Sequence, residues 1–533
     1  MVLALAAAAG SAQAATFYVS PAGADANPGT SAAAPWKTVS RVNNAALAPG
    51  DVVSFQGGAT FSDATLMPGS SGTAAARITF TSYGTGRATL SYPQSAVWLA
   101  PGRNYLTFAE LDLTTGGAAY TVLAGSSAPG SSYITIRDCS IRNGGATGIG
   151  SWQSTDEGWR IESTTLSHIG DSAITTLGNG TVIEGNRISD VGWNASLDWT
   201  KHGIYSKGPN HVIANNEITD VPNGQAVSLR YRGARVYGNT IHDTPYAIGF
   251  FDYDTSPAPQ GTSYVHGNRA WNVTGWFFYY AGQRDPNGRV PSVGFVVASN
   301  SVSLTGATEA VNVSEAREAP VTFANNVVTG SYSSAFRPLA GKTFEFNNAW
   351  SGGAFNVPTG SVSDVFGAPG ISSPSGFAPL TGSPVIDRGS AVVPGLAYAR
   401  RCDGIALSYC GLAPDIGAVE SAILPPSPLS PTLPPPSPEP GAAVLPTVTI
   451  SSPAADGAVG RSLKVVASAR SDSAIAGLAF LVDGKQICRL PAGSGSCVSR
   501  LHPGDHTIMV RATDATGDVG SASQLVRSAR GRD

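Results

Sequence analysis

Asn186-Arg187-Ile188, Asn216-Glu217-Ile218, Asn239-Thr240-Ile241, Asn268-Arg269-Ala270, Asn300-Ser301-Val302 and Asn326-Val327-Val328 repeat one tripeptide pattern, Asn-x-apolar, at intervals of 23 to 32 residues. The same slot reads Cys139-Ser140-Ile141 and Thr164-Thr165-Leu166 earlier and Asn348-Ala349-Trp350 later. Fixed-slot recurrence at this period marks a solenoid. Asn suits the slot because it tolerates left-handed backbone geometry and can hydrogen-bond to its counterpart in a stack.

A second ladder accompanies the first: Gly148-Ile149, Ala173-Ile174, Gly203-Ile204, Ala226-Val227, Ala247-Ile248 and Ala310-Val311, a small residue followed by an aliphatic one. Short alternating runs punctuated by Gly, Asn and Asp leave no room for the ten or more residues of 3.6-residue periodicity that a helical repeat needs. The expected fold is all-β, a right-handed parallel β-helix. Composition agrees, with 63 Gly, 37 Pro and only 13% charged residues. The net charge of −3 points to no nucleic-acid partner.

Phe17-Tyr18-Val19-Ser20-Pro21, Pro35-Trp36-Lys37-Thr38 and Pro49-Gly50-Asp51 at one end, with Ser383-Pro384-Val385-Ile386-Asp387 and Asp415-Ile416-Gly417-Ala418 at the other, resemble the opening and closing segments of secreted β-helix proteins. They bracket a domain over 16–420. Residues 1–15, apolar and ending in Ala12-Gln13-Ala14 near the boundary, have the pattern of a signal peptide and imply export. The run is too short to span a membrane. Ten prolines between Pro425 and Pro446 make 421–446 a semi-rigid linker. Short alternating strands over 447–528 then predict an immunoglobulin-like β-sandwich of the kind attached to bacterial exported enzymes. Cys402 with Cys410 and Cys488 with Cys497 are expected as local disulfides, which leaves Cys139 as a buried thiol.

Strand alternation locates chemistry. If Ile204 and Ser206 face the core, Tyr205 and Lys207 face outward; one rung on, Val227 and Leu229 face in while Ser228 and Arg230 face out. Lys207 and Arg230 then stand on adjacent rungs about 4.8 Å apart. Lys201, His202, Arg232 and Arg235 cluster with them. Stacked like charges are costly unless something anionic binds. Outward aromatics on the same sheet are expected at Trp152, Tyr205, Phe251, Phe278 and Tyr280.

Ser206-Lys207-Gly208 and Gly224-Gln225-Ala226-Val227-Ser228-Leu229-Arg230-Tyr231-Arg232-Gly233 resemble the active-site rungs of the chondroitinase-B and alginate-lyase group of polysaccharide lyases. The resemblance implies Lys207 as general base and Arg230 as its catalytic partner, with β-elimination on a uronate-containing anionic polysaccharide. Lys201, His202, Tyr205, Arg232 and Tyr280 would bind substrate. Members of that group often hold Ca²⁺ through acidic residues before the Lys; here Thr200, Lys201 and His202 occupy those places, so no cofactor is assured and Ca²⁺ stays open. The expected protein is a monomer with no membrane span. Rival readings on the same fold are a glycoside hydrolase, with Asp252 and Asp254 or Asp171 and Asp198 as carboxyl pairs, a uronate epimerase, and a non-catalytic adhesin.

Overall fold

The computed structural model describes residues 14–421 and 446–528, apart from 117–119, 194–199, 232, 253–260, 283–293, 314–320, 338–342, 354–362, 374, 402–406 and short gaps in the second segment. The expected signal peptide, Arg232, Cys402 and the linker therefore lie outside the described residues or almost wholly so. The chain divides into two units, Met1–Pro425 and Pro426–Asp533.

The first unit is a parallel β-helix with three faces. Face one is a 13-stranded parallel sheet running from Thr16–Val19 to Thr343–Phe346. Faces two and three form one 19-stranded sheet folded around a corner. In the earlier rungs they are separate strands, such as Arg187–Val191 and Ile204–Ser206. From Thr240–Asp252 to Val327–Arg337 each rung crosses the corner as one long strand, with a register shift between Thr244 and Tyr246 in the first. Helix is confined, among the described residues, to Val39–Asn43, capped by the Thr38 hydroxyl, which accepts from Arg41 N.

Why these residues stack is plain in the columns. On face one, Ile136, Ile161, Ile183, Ile213, Val236, Val265, Val297 and Phe323 follow one another in register, each fully buried. On face two the column is Ile141, Leu166, Ile188, Ile218, Ile241, Ala270, Val302, Val328 and Trp350. On face three Ile149, Ile174, Ile204, Val227, Ile248, Phe278 and Val311 do the same. Each buried aliphatic side chain contributes about 1.5–3 kcal/mol relative to exposure.

The corner between faces one and two holds the asparagines. Asn186, Asn216, Asn239, Asn268, Asn300, Asn326 and Asn348 form a ladder in which each amide nitrogen donates to the next residue's Oδ1 at 2.9–3.0 Å. The same Oδ1 accepts the preceding asparagine's backbone N–H. The left-handed conformation belongs to the residue before the ladder, among them Asn215, Ser299, Asn325, Asn347 and Gly238. Hydrogen bonding, not backbone tolerance, is why Asn occupies the slot.

Both ends are closed. At the start, Trp36 is buried, stacked on Phe17 at 4.6 Å, and covered by the Arg41 guanidinium. A side chain on Gly29, which has φ +76, would meet the Trp36 ring, so the turn requires glycine. At the far end Asp364 terminates the ladder: its Oδ1 accepts from Asn348 N and its Oδ2 from Trp350 Nε1. Glu345 takes the column position after Phe323 and is buried. Burial and the neighbouring Asp364 carboxylate push its carboxyl up to about 9. The closing segment packs Val385 and Ile416 onto Val327 and Ala349 of face two. Cys139 is buried, its thiol pushed up to about 12 by desolvation.

The second unit is a β-sandwich, with Thr447–Ser452, Ser462–Arg470 and Ser494–Arg500 facing a five-stranded sheet around Leu463, Val465, Phe480, Ile508 and Val510. Cys488 and Cys497 are bonded and lie on different sheets, so this bridge staples the sandwich instead of closing a local hairpin. No helix among the described residues is long and apolar enough to cross a membrane.

Asn239→Ala removes an acceptor from Asn216 and a donor from the 268 rung, and each buried group left unpaired costs about 1–3 kcal/mol. Chemical denaturation should show a loss of about 3 kcal/mol or more, with hydrogen exchange rising in the rungs on either side. Glu345 has a folded-state pKa above its unfolded value, so its contribution is full below about pH 4.5 and is lost as pH rises towards 9. The melting temperature should fall over that window, and Glu345→Gln should flatten the fall.

Candidate functional site

Register places Tyr205 beside Ser228 and Ser206 beside Leu229. Arg230 N donates to Ser206 O at 2.9 Å, and Lys207 N to Thr176 O at 2.8 Å, so Lys207 and Arg230 are neighbours across consecutive rungs. Ser206 points inward, fully buried, and its hydroxyl is 2.7 Å from His211 Nδ1. His211 also reaches Gly178 O, and complete burial pushes its imidazole down to about 4. A neutral histidine thus pins the strand that presents Lys207.

Both cations rest on aromatic faces. The Lys207 ammonium lies 5.1 Å from the Tyr205 ring centroid and 5.9 Å from that of Trp152. The Arg230 guanidinium lies 5.1 Å from Tyr205 and 4.8 Å from Phe251, and its Nε donates to the Tyr205 hydroxyl at 3.2 Å. Ring quadrupoles offset much of the repulsion between stacked cations. An anionic ligand is therefore not required to hold them together, contrary to the inference from stacked charge alone. Burial and the Arg230 charge lower the Lys207 pKa below its ordinary value.

The remaining expected residues divide. His202 is buried; its backbone N–H donates to the Ser172 hydroxyl, its Nδ1 accepts from Gln225 N, and its ring meets Tyr205 edge-on at 4.7 Å. It positions Tyr205 instead of facing a ligand. Lys201 is 3.5 Å from the Asp171 carboxylate. A cation and an engaged imidazole are no oxygen cage for Ca²⁺. Among the described residues no group of three or more His, Cys, Asp or Glu side chains could hold a metal ion. Arg232 lies outside the described residues.

Tyr280 requires correction. It is 1% exposed and packs against Phe250 and Phe295, each at 5.2 Å between centroids. Phe278 is core as well. Pairing of Ile248 with Phe278 and Phe250 with Tyr280 sets the opposite alternation, so Tyr279 is the outward residue. Three aromatics that sequence missed extend the surface of the expected Phe251: Tyr246 stacks on Trp276 at 4.6 Å, Trp276 on Tyr279 at 5.3 Å, and Tyr279 meets Phe251 at 5.5 Å. Gly249 permits this closure, because a Cβ there would lie 2.8 Å from both Phe251 and Trp276. Among the described residues Gln225 Oε1, Ser228 Oγ and Trp152 Nε1 are buried without a hydrogen-bond partner. The face thus combines N–H donors with aromatic ring faces, groups suited to a polyhydroxylated ligand.

A family model described as a right-handed beta helix region matches residues 147–350, and one for a bacterial Ig domain matches 446–510. The handedness and both fold classes are thereby given. A lacto-N-biosidase of Bifidobacterium longum subsp. longum is 48% identical over 73 residues, 13% of this chain and 5% of that protein. The chain thus spans about one-twentieth of the length of the curated relative it matches. Among solved structures, a GH136 lacto-N-biosidase from Eubacterium ramulus is 14% identical, with 66% of this chain and 68% of that one covered, at a TM-score of 0.42. The complex of XylC with xylose is 11% identical, with 67% and 87% covered, at 0.49. Membership of the chondroitinase-B and alginate-lyase group is overturned: the curated sequence match is to a lacto-N-biosidase, and the expected lyase, alginate and uronate assignments fall with it. The resemblance over residues 206–233 rests on the two stacked cations Lys207 and Arg230.

Replacing Arg230 by Ala removes the positive neighbour of Lys207, so the lysine pKa should rise towards its ordinary value. The pH dependence of reductive methylation at Lys207, read by mass spectrometry, checks this; an unchanged profile would assign the depression to burial alone.

Proposed function

We propose that the chain is a carbohydrate-active enzyme, a glycoside hydrolase that holds its glycan along face three at Tyr205, Lys207 and Arg230. One observation carries this: a donor-rich cation pair set on aromatic faces. The 48% identity to a lacto-N-biosidase supports hydrolysis as the reaction. Lys207 and Arg230 then bind substrate oxygens, and neither abstracts a proton.

Hydrolysis needs two carboxyl groups, one to protonate the departing glycosidic oxygen and one to activate water or attack the anomeric carbon. Asp171 is engaged with Lys201 and Ser172. Asp198 and Asp254 lie outside the described residues. Asp252 closes the strand Thr240–Asp252, one residue beyond Phe251, on whose ring Arg230 rests. Asp252 and Asp254 lie two residues apart in the sequence, and we assign them the two roles. The same proposal takes the protein to be exported, as residues 1–15 suggest.

The mature protein is incubated with lacto-N-tetraose, aryl β-glycosides and a panel of neutral and acidic polysaccharides. New reducing ends without a rise in ultraviolet absorbance are expected, with activity falling on the order of a thousandfold in Asp252→Asn. Unsaturated products, or glycan bound and left intact across the whole panel, would refute the proposal.

A further inference from the structure

Outward positions of face three form a registered column: Trp98, Leu123, Gly150, Thr175, Tyr205, Ser228, Gly249 and Tyr279. Between Trp98 and Tyr205 the column holds Leu123, Gly150 and Thr175. Gly150 has no side chain and is covered by the Trp152 indole, whose Nε1 lacks a partner; Thr175 is 1% exposed. Aromatic rings therefore recur along one line, at Trp98, Trp152, Tyr205 and Tyr279.

At the Trp98 end lies a cavity of about 320 Å³ lined by Thr65, Met67, Gln94, Ser95 and Trp98. Trp98 is half-buried, Gln94 is exposed and Met67 is 42% exposed. The Thr65 hydroxyl is already spent on Ser95 O. The lining thus offers an indole face, a thioether and an exposed amide, and no charged group. Four rung steps separate Trp98 from Tyr205, about 19 Å at about 4.8 Å per rung. One rung advances by close to the length of one pyranose.

We propose that the Trp98 cavity is a distal subsite for an uncharged pyranose unit of the same glycan whose reacting end sits at Tyr205, Lys207 and Arg230. The inference rests on the glycoside-binding role of that face and adds a substrate class: extended oligosaccharides or polysaccharides spanning at least four rungs. The indole receives the apolar face of the sugar while the Gln94 amide bonds a hydroxyl. The uncharged lining sets this end apart from the cationic centre, so acidic units are disfavoured at the distal position.

The full chain is titrated by calorimetry with xylo-, cello- and N-acetyllactosamine oligosaccharides of two, four and six units. At least one six-unit ligand should bind on the order of tenfold more tightly than its two-unit counterpart. Trp98→Ala should abolish that length advantage and Trp98→Phe should retain most of it, with thermal midpoints confirming folded protein. Tyr205→Ala should weaken all lengths alike. Absence of a length advantage in every series, or its survival in Trp98→Ala, would overturn the distal subsite. Because calorimetry reads binding and reducing ends read turnover, glycan hydrolysed without a Trp98-dependent length advantage would sink the subsite alone. Length-dependent binding without hydrolysis would sink the enzyme assignment alone.

Discussion

Seven buried amides bonded head to tail hold the first unit in register. A parallel strand can slip by one residue and present the wrong face, and hydrophobic columns resist this only where apolar and polar residues alternate. The asparagine ladder acts at every rung from 186 to 348 regardless of the strand sequence, because each amide is bonded to fixed partners above and below. Buried polar groups stabilise specificity when fully satisfied and are costly otherwise, so the ladder needs a defined end. Asp364 provides it, accepting both the last backbone N–H and the Trp350 indole.

That constraint reaches the site. Lys207 and Arg230 share one surface because Ile204 sits against Val227, and those two are aligned because the asparagines upstream are aligned. Cation–aromatic contacts then fix the head groups, with Tyr205 as the element common to both. His202 and His211 work from below, one supporting Tyr205 and the other the Lys207 strand.

Much of this was legible in the residues. A single Asn slot recurring between apolar positions specifies a stack, and alternation through Ile204–Lys207 and Val227–Arg230 gives the cation pair its direction. Where alternation lacks contrast, inference failed: Trp276-Phe277-Phe278-Tyr279-Tyr280 is aromatic throughout, so nothing within it reveals which residues face inward. Glu345 misleads in the opposite sense, since a glutamate in a strand reads as surface, yet Phe323 behind it places it in the core column. The Cys488–Cys497 spacing suggests a hairpin and conceals a bridge between sheets. The lyase resemblance failed for a more general reason. Two stacked cations are a property of neighbouring rungs, whereas reaction type depends on carboxyl groups and loops beyond the motif.

The change from separate to continuous strands at the corner between faces two and three has an evolutionary consequence. Up to Gln225–Leu229 the two faces carry separate strands, with twelve residues between Val191 and Ile204; from Thr240–Asp252 to Val327–Arg337 the corner is backbone paired to backbone. At this corner, insertions are therefore accommodated in the earlier rungs and not in those whose strands run through it. The cationic rungs sit at that frontier, where new loop sequence can be grafted beside a scaffold that cannot shift. Loop length at that corner can therefore change beside the cationic rungs without disturbing the hydrogen bonds of the stack.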